Sequence, residues 1–418
     1  MSRVGWWILA AVAALGAVGA AQTGRVGIPA GQAGPESRSV EPPEDAVAVL
    51  NRAMQTGGVR LAFEGSRGYL MSVLKALDVP VESQTLVFSE TSFQPQYIHP
   101  GNPRALYFND SVAVGWVNGG EVLEVAALEP GRGFALYALG QESRPAPQFE
   151  RDLRCLECHD TAFTAGVPGL LTMSMLPRSD NPAELAQGWP VDHRTPFEDR
   201  WGGWFVTGPD APRVHLGNVP VHRVDRSYVR LPAAPAIEEV DVDDAYPSKR
   251  SDVTALLVLN HQTHMLNLLT RLTRDVRFVE HEGVLGGRVM QVVRDLVDYL
   301  LFVDEAPLAA PVRGTSGFAE VFAVRGPRDS KGRSLRDLDL TTRLLRYRCS
   351  YLVYSPAFDA MSAMARDAVY TRMWRILSGE ESDAKYARLA AGERRAIVEI
   401  LKETKPGLPG YFDPAAVR

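Results

Sequence analysis

The sequence predicts an α+β fold, on three observations. Short β-rich runs crowd residues 85–139, apolar residues recur at helical spacing after residue 250, and the pentapeptide Cys155-Leu156-Glu157-Cys158-His159 lies between the two regions. The expectation is an antiparallel β meander in the N-terminal third, a segment organised by the pentapeptide, and a predominantly α-helical C-terminal half.

The elements follow in order. Met1-Ser2-Arg3 is a short basic start, Val4 to Val18 is unbroken apolar or small, and Gly19-Ala20-Ala21-Gln22 suits signal-peptidase cleavage. Residues 1–21 therefore read as a signal peptide. Their apolar stretch is short for a bilayer span, so an exported, periplasmic product is expected, with an uncleaved anchor as the alternative. Residues 22–45 are rich in Gly, Pro, Ser and Glu without apolar period and read as a disordered linker. Residues 46–145 hold a helix pair (Val47, Leu50, Met54; Leu70, Val73, Leu74, Leu77) and then β runs at 85–88, 105–108, 112–117, 122–127 and 134–139. Asn118-Gly119 between two of these runs is the sharpest hairpin cue.

Residues 146–230 contain the pentapeptide and a loop-rich stretch with Trp189, Trp201 and Trp204, in which 202–208 reads as a strand with its return at 214–218. Residues 231–418 are read as helical, with helices over 251–274, 284–303, 334–350, 367–378 and 383–402. Ser334 with Asp337 has the form of a capping box. The formal net charge of −5 becomes more negative when Arg3 leaves with the signal, which argues against a nucleic-acid partner. The 45% hydrophobic content, with no second apolar run long enough to cross a bilayer, describes a well-cored soluble mature chain.

CxxCH is the attachment signature of a c-type haem. Two thiols three positions apart on one turn point to the same side, where each can form a thioether with a haem vinyl group. The histidine that follows supplies the proximal imidazole for the iron. One covalent haem on Cys155, Cys158 and His159 is expected. A thioredoxin-type CxxC would need a βαβ context, which the polar lead-in 148–154 does not offer. Half of a zinc site would need another ligand pair, and the third cysteine, Cys349, stands alone. Cys349 reads as a small buried apolar residue.

The group opposite His159 decides between electron carriage and ligand chemistry. His261 and His264 stand i, i+3 on an apolar helix and share a stripe with Leu257 and Leu268. His215 and His193 lie in Gly- and Trp-rich loops, and Met173 and Met175 follow the motif. Arg104, Arg178, Arg194 and Arg200 are candidates for pairing with haem propionates, because guanidinium forks match carboxylates. Pro168 is the candidate carbonyl for the second ring nitrogen of His159.

Several strings carry a resemblance. Asn102 to Asp110, the CLECH run with Gly166-Val167-Pro168-Gly169, Asp192 to Pro196, Arg200 to Gly208, His215 to Asn218, His261-Gln262 with Asn267 and Thr270-Arg271, Gly332 to Arg336 and Arg348 to Tyr351 resemble large exported bacterial cytochrome c domain proteins with a single CxxCH. The resemblance covers most of the mature chain. It implies haem c on Cys155, Cys158 and His159, with His193, His215 and His261 around it, and it favours His261 over His264 as the second iron ligand. The expected function is electron transfer by an exported monohaem cytochrome to or from another redox protein. A peroxidase-type haem enzyme and a haem-based gas sensor are the alternatives, and the basic, Gly-rich loop 313–333 is a candidate docking surface.

Overall fold

The structure is a computed structural model and describes residues 44–175, 188–212, 214–218 and 236–418. The signal and linker expectations lie outside these residues, as does Arg178. The described chain is α+β, as expected.

It opens with α1 (Ala46–Gln55), whose N-cap Asp45 accepts from the backbone N–H groups of Val47 and Ala48, and α2 (Leu70–Ala76). Six strands follow: β1 (Thr85–Val87), β2 (Arg104–Phe108), β3 (Val112–Trp116), β4 (Val122–Glu129), β5 (Gly133–Gly140) and β6 (Glu150–Arg151). They pair antiparallel in chain order, the simplest meander. The Asn118-Gly119 cue sits at the β3–β4 turn, where Gly119 has φ +72°.

Alternation along the strands builds two cores. Ala105, Tyr107, Val114, Trp116, Leu123, Val125, Tyr137 and Leu139 face one side and pack with α1, α2 and Tyr246. Phe108, Ala126, Leu128, Phe134 and Leu136 face the other side and join the core of the helical half. The chain then makes α3 (Leu156–His159) and the two-stranded ribbon β7 (Met173–Met175) with β8 (Gly188–Pro190).

The C-terminal half is built on α4 (Val253–Val279), whose 27 residues extend about 40 Å. Around it stand α5 (Gly287–Leu300), α6 (Phe318–Val324), α7 (Pro356–Asp359), α8 (Ala363–Ser378) and α9 (Ala391–Thr404). Two of the expected elements are corrected. Residues 334–350 form no helix: the Asp339 carboxylate accepts from the N–H groups of Thr341, Thr342 and Arg343, and Leu340 has φ +55°. Local side-chain acceptors there win over the helical ladder. The Asp337 carboxylate does reach back to the N–H of Ser334, the one half of the capping box that forms. Residues 202–208 make isolated bridges instead of a strand, and the Asn218 side-chain amide pairs with both the N–H and the carbonyl of Val206.

Asp252 starts α4 and ties it to the rest. Asp252 is 1% exposed; one carboxylate oxygen accepts from Thr254 and Ala255 N–H, and the other accepts from Thr315 N–H, Ser316 N–H and the Ser316 hydroxyl. Asp252→Ala removes the cap, strands the two buried N–H donors of Thr254 and Ala255 and releases the tie to Thr315 and Ser316, so a loss of about 3 kcal/mol is expected in urea unfolding. A loss within experimental scatter would contradict this placement.

Candidate haem-attachment site

The attachment turn is delivered by the sheet. Strand β6 pairs with β5 through Tyr137 and Arg151, and Asp152 then accepts from Arg154 N–H to start a single 3₁₀ turn, Leu153–Cys155, that runs directly into α3. Cys155 and Cys158 therefore stand three residues apart on continuous helical backbone, on the same side. Both are free thiols, Cys155 partly buried and Cys158 exposed. Burial, assisted by Asp152 and Glu124, pushes the Cys155 thiol up to about 11, and burial and Glu157 raise that of Cys158. Thiol–disulfide exchange calls for depressed thiols, and the antiparallel edge at β6 is not a βαβ unit. Among the described residues no group of three or more His, Cys, Asp or Glu side chains could hold a metal ion. Neither rival reading of CxxC gains support.

His159 is clamped at both ends of its residue. Its Nδ1 lies 2.8 Å from the Gly169 carbonyl oxygen, and the Gly169 N–H donates to the His159 carbonyl at 2.8 Å. A carbonyl can only accept, so Nδ1 carries the proton and Nε2 keeps its lone pair. Burial lowers the pKa of the ring; the Gly169 bond and Glu124 work against this, and Arg104 works with it. A neutral imidazole with Nε2 free is the form that binds iron. The expected carbonyl donor Pro168 is corrected by one residue, because the Pro168 carbonyl accepts from Phe134 N–H of β5 instead.

The segment after the motif is a strap pinned along α4. Arg274 donates to the Gly166 carbonyl, Asn267 accepts from Leu170 N–H at 3.1 Å and donates to its carbonyl at 2.6 Å, and Asn260 donates to the Thr172 hydroxyl at 3.1 Å. Asn267 passes so close to Gly169 that a Cβ there would collide with its amide. Thus α4 stands behind the carbonyl that holds Nδ1. The bond to Gly169 occupies Nδ1 and leaves Nε2 as the nitrogen with a free lone pair.

His261 is corrected accordingly. It is fully buried on α4, with Nδ1 2.8 Å from Nδ1 of His193 and Nε2 2.7 Å from the Ser350 hydroxyl, so neither nitrogen is left for a metal. His193 stacks on Tyr299 and Phe302 at ring-centroid distances of 4.0 and 4.5 Å. Its Nε2 is buried without a partner among the described residues. Nε2 of His264 lies 3.3 Å from the Arg194 guanidinium, and His215 Nδ1 accepts from Gly217 N–H. Met175 is buried in the β7–β8 ribbon against Gly188.

The arginines separate into two places. Arg104 lies across Gly115 of β3 to pair with Glu124 of β4, and the two charges act on the His159 ring in opposite senses. Arg194 pairs with Asp192 over the Tyr299 ring. Arg200, 2% exposed, donates to the carbonyls of Thr195 and His193, and burial lowers it to about 10. These two, expected as propionate partners, stand in the histidine cluster. Glu124, Gly115 and Gly169 were missed from sequence; a glycine inside a β run is the signal that could have found Gly115.

The residues present fit a covalently attached haem. Two thiols share a side, an imidazole offers Nε2, and Cys155 and Leu156 are partly buried against the core of the helical half, as are Leu106, Ala113 and Leu170. The Arg104 Nε–H is a buried donor without a partner among the described residues. No protein-family model, no curated protein and no solved structure matches the chain.

The buried imidazoles give a pH dependence. Burial holds His215 at about 4, His261 at about 3 and His264 at about 4, whereas unfolded imidazoles titrate near 6.5. Below pH ~6.5 the unfolded chain binds protons that the fold refuses, so stability falls with pH. Glu305, raised by burial to about 7, acts in the opposite sense between that value and its unfolded pKa. Near pH 5 these groups leave the unfolded chain with a net excess of about two protons, a slope of about 2.7 kcal/mol per pH unit. Urea unfolding between pH 6.5 and 4.5 reads it, and a flat or rising profile on acidification would refute it.

Proposed function

We propose that this chain is an exported monohaem c-type cytochrome that transfers single electrons to or from another redox protein. The observation that carries the reading is the CxxCH run on one helical turn, with the His159 tautomer fixed by Gly169 so that Nε2 is the available ligand. Cys155 and Cys158 would hold the haem by thioethers and His159 would bind its iron; when bound, the group supplies a one-electron couple. The chain's own part is to orient the imidazole through Gly169, back it with Asn267 and α4, and offer Arg104 as a cation near it.

The surface position of the turn favours electron transfer over a secluded catalytic pocket. Cys158 is exposed, Leu153 is 58% exposed and Phe93, against which Arg154 stacks, is 50% exposed. Export is proposed from residues 1–21, and haem attachment to CxxCH belongs to the same side of the membrane. No helix among the described residues is long and apolar enough to cross a bilayer.

Expression with the N-terminal segment in a host competent for haem c maturation tests the reading. Pigment that resists acidified organic solvent and vanishes in Cys155→Ala/Cys158→Ala is expected, together with reversible one-electron reduction. Colourless protein overturns the proposal, and peroxide turnover or gas binding at a five-coordinate iron would replace electron transfer by enzyme or sensor.

A further inference from the structure

Arg154 precedes the first thiol by one residue, yet its neighbour on the turn is the second. Arg154 and Cys158 stand four residues apart on the helical backbone that runs from Leu153 to His159, which sets their Cβ atoms about 5–6 Å apart on one face. Both are exposed. Asp152 fixes the guanidinium, accepting from Nε at 2.9 Å and from Nη2 at 2.6 Å, and the guanidinium carbon lies 5.4 Å from the centre of the Phe93 ring. Through Arg154, Phe93 belongs to the face that carries Cys158.

Phe93 is held out by its neighbours. Gln94, 4% exposed, accepts from the Glu121 and Val122 N–H groups at 2.8 and 3.1 Å and donates to the Val122 carbonyl, while the Ser92 hydroxyl donates to Glu124 at 2.6 Å. Both flanks of the ring are therefore bolted to the start of β4, and the ring itself is left half exposed. A single apolar side chain at the surface needs no ligand to explain it. This one is fixed in place beside a thiol whose thioether would bring a porphyrin edge to the same face. Leu153 is exposed as well, but it stands roughly half a turn around the backbone from the two thiols and faces elsewhere.

We propose that Phe93 is an apolar contact of the haem at the Cys158 thioether, covering that edge from water. The inference rests on the haem reading. Phe93 ligates nothing and acts by excluding solvent. Reduction takes one electron, supplied by an electrode or a redox partner, and lowers the charge of the iron centre by one, with no proton moved. Water stabilises the more highly charged oxidised state, so a drier edge favours the reduced one.

Two measurements test this. In Phe93→Tyr the introduced phenol is expected to react with tetranitromethane at least threefold more slowly in the haem-loaded protein than in the haem-free Cys155→Ala/Cys158→Ala background, read at that position by peptide mass spectrometry. In redox titration of the holoprotein, Phe93→Ala is expected to lower the midpoint by at least threefold in the redox equilibrium, about 28 mV at 59 mV per decade. Phe93→Leu is expected to restore most of the potential, and Leu153→Ala to leave it unchanged. A nitration ratio below threefold, or a Phe93→Ala shift that is smaller or of the opposite sign, overturns the inference while leaving the haem reading intact. A wild-type protein without covalent haem overturns both, and is recognised at once by its lack of colour.

Discussion

A proton on Nδ1 of His159, held 2.8 Å from the carbonyl oxygen of Gly169, decides which end of the ring can meet a metal. Everything around the attachment turn serves that bond. Gly169 can present its carbonyl only because it lacks a Cβ where Asn267 passes, and Asn267 is placed by a helix whose start is locked by Asp252. The sheet delivers the cysteines and α4 fixes the histidine. The site is therefore a joint product of both halves of the chain.

The second concentration of imidazoles has a different physical character. His193 and His261 share a hydrogen bond in a stack with Tyr299 and Phe302, and they link the loop after β8 to α4 and to Ser350. Phe302 and Asp304 take left-handed backbone, with φ +54° and +63°, a cost met by the surrounding packing. Both rings are neutral, because burial penalises the cation more than any neighbour favours it. The pair reads as a polar strut of the core.

The meander was legible in sequence because period-2 apolar runs and the Asn118-Gly119 turn point to the same answer, and the long helices because their period is unambiguous. Residues 334–350 misled: their apolar spacing is helical, but carboxylates at 337 and 339 can capture backbone donors, a competition that periodicity does not register. The attachment motif is local and could be read outright. The Gly169 carbonyl was missed by one residue because peptide-plane direction is set by the strap's contacts with β5 and α4. A histidine on a buried stripe looks the same whether it holds iron or a distant imidazole such as His193, so His261 could not be assigned from spacing. Arg104 and Glu124 meet only through strand register across Gly115, and that depends on pairing no single run contains.

The doubled bond between Asn267 and the Leu170 peptide also imposes an order in time. Its partners are 97 residues apart, so the brace exists only once the distant helix has folded against the strap. Until α4 docks, the strap that carries the histidine has no backing. A chain severed between the two would keep the motif and lose what holds its ring in place.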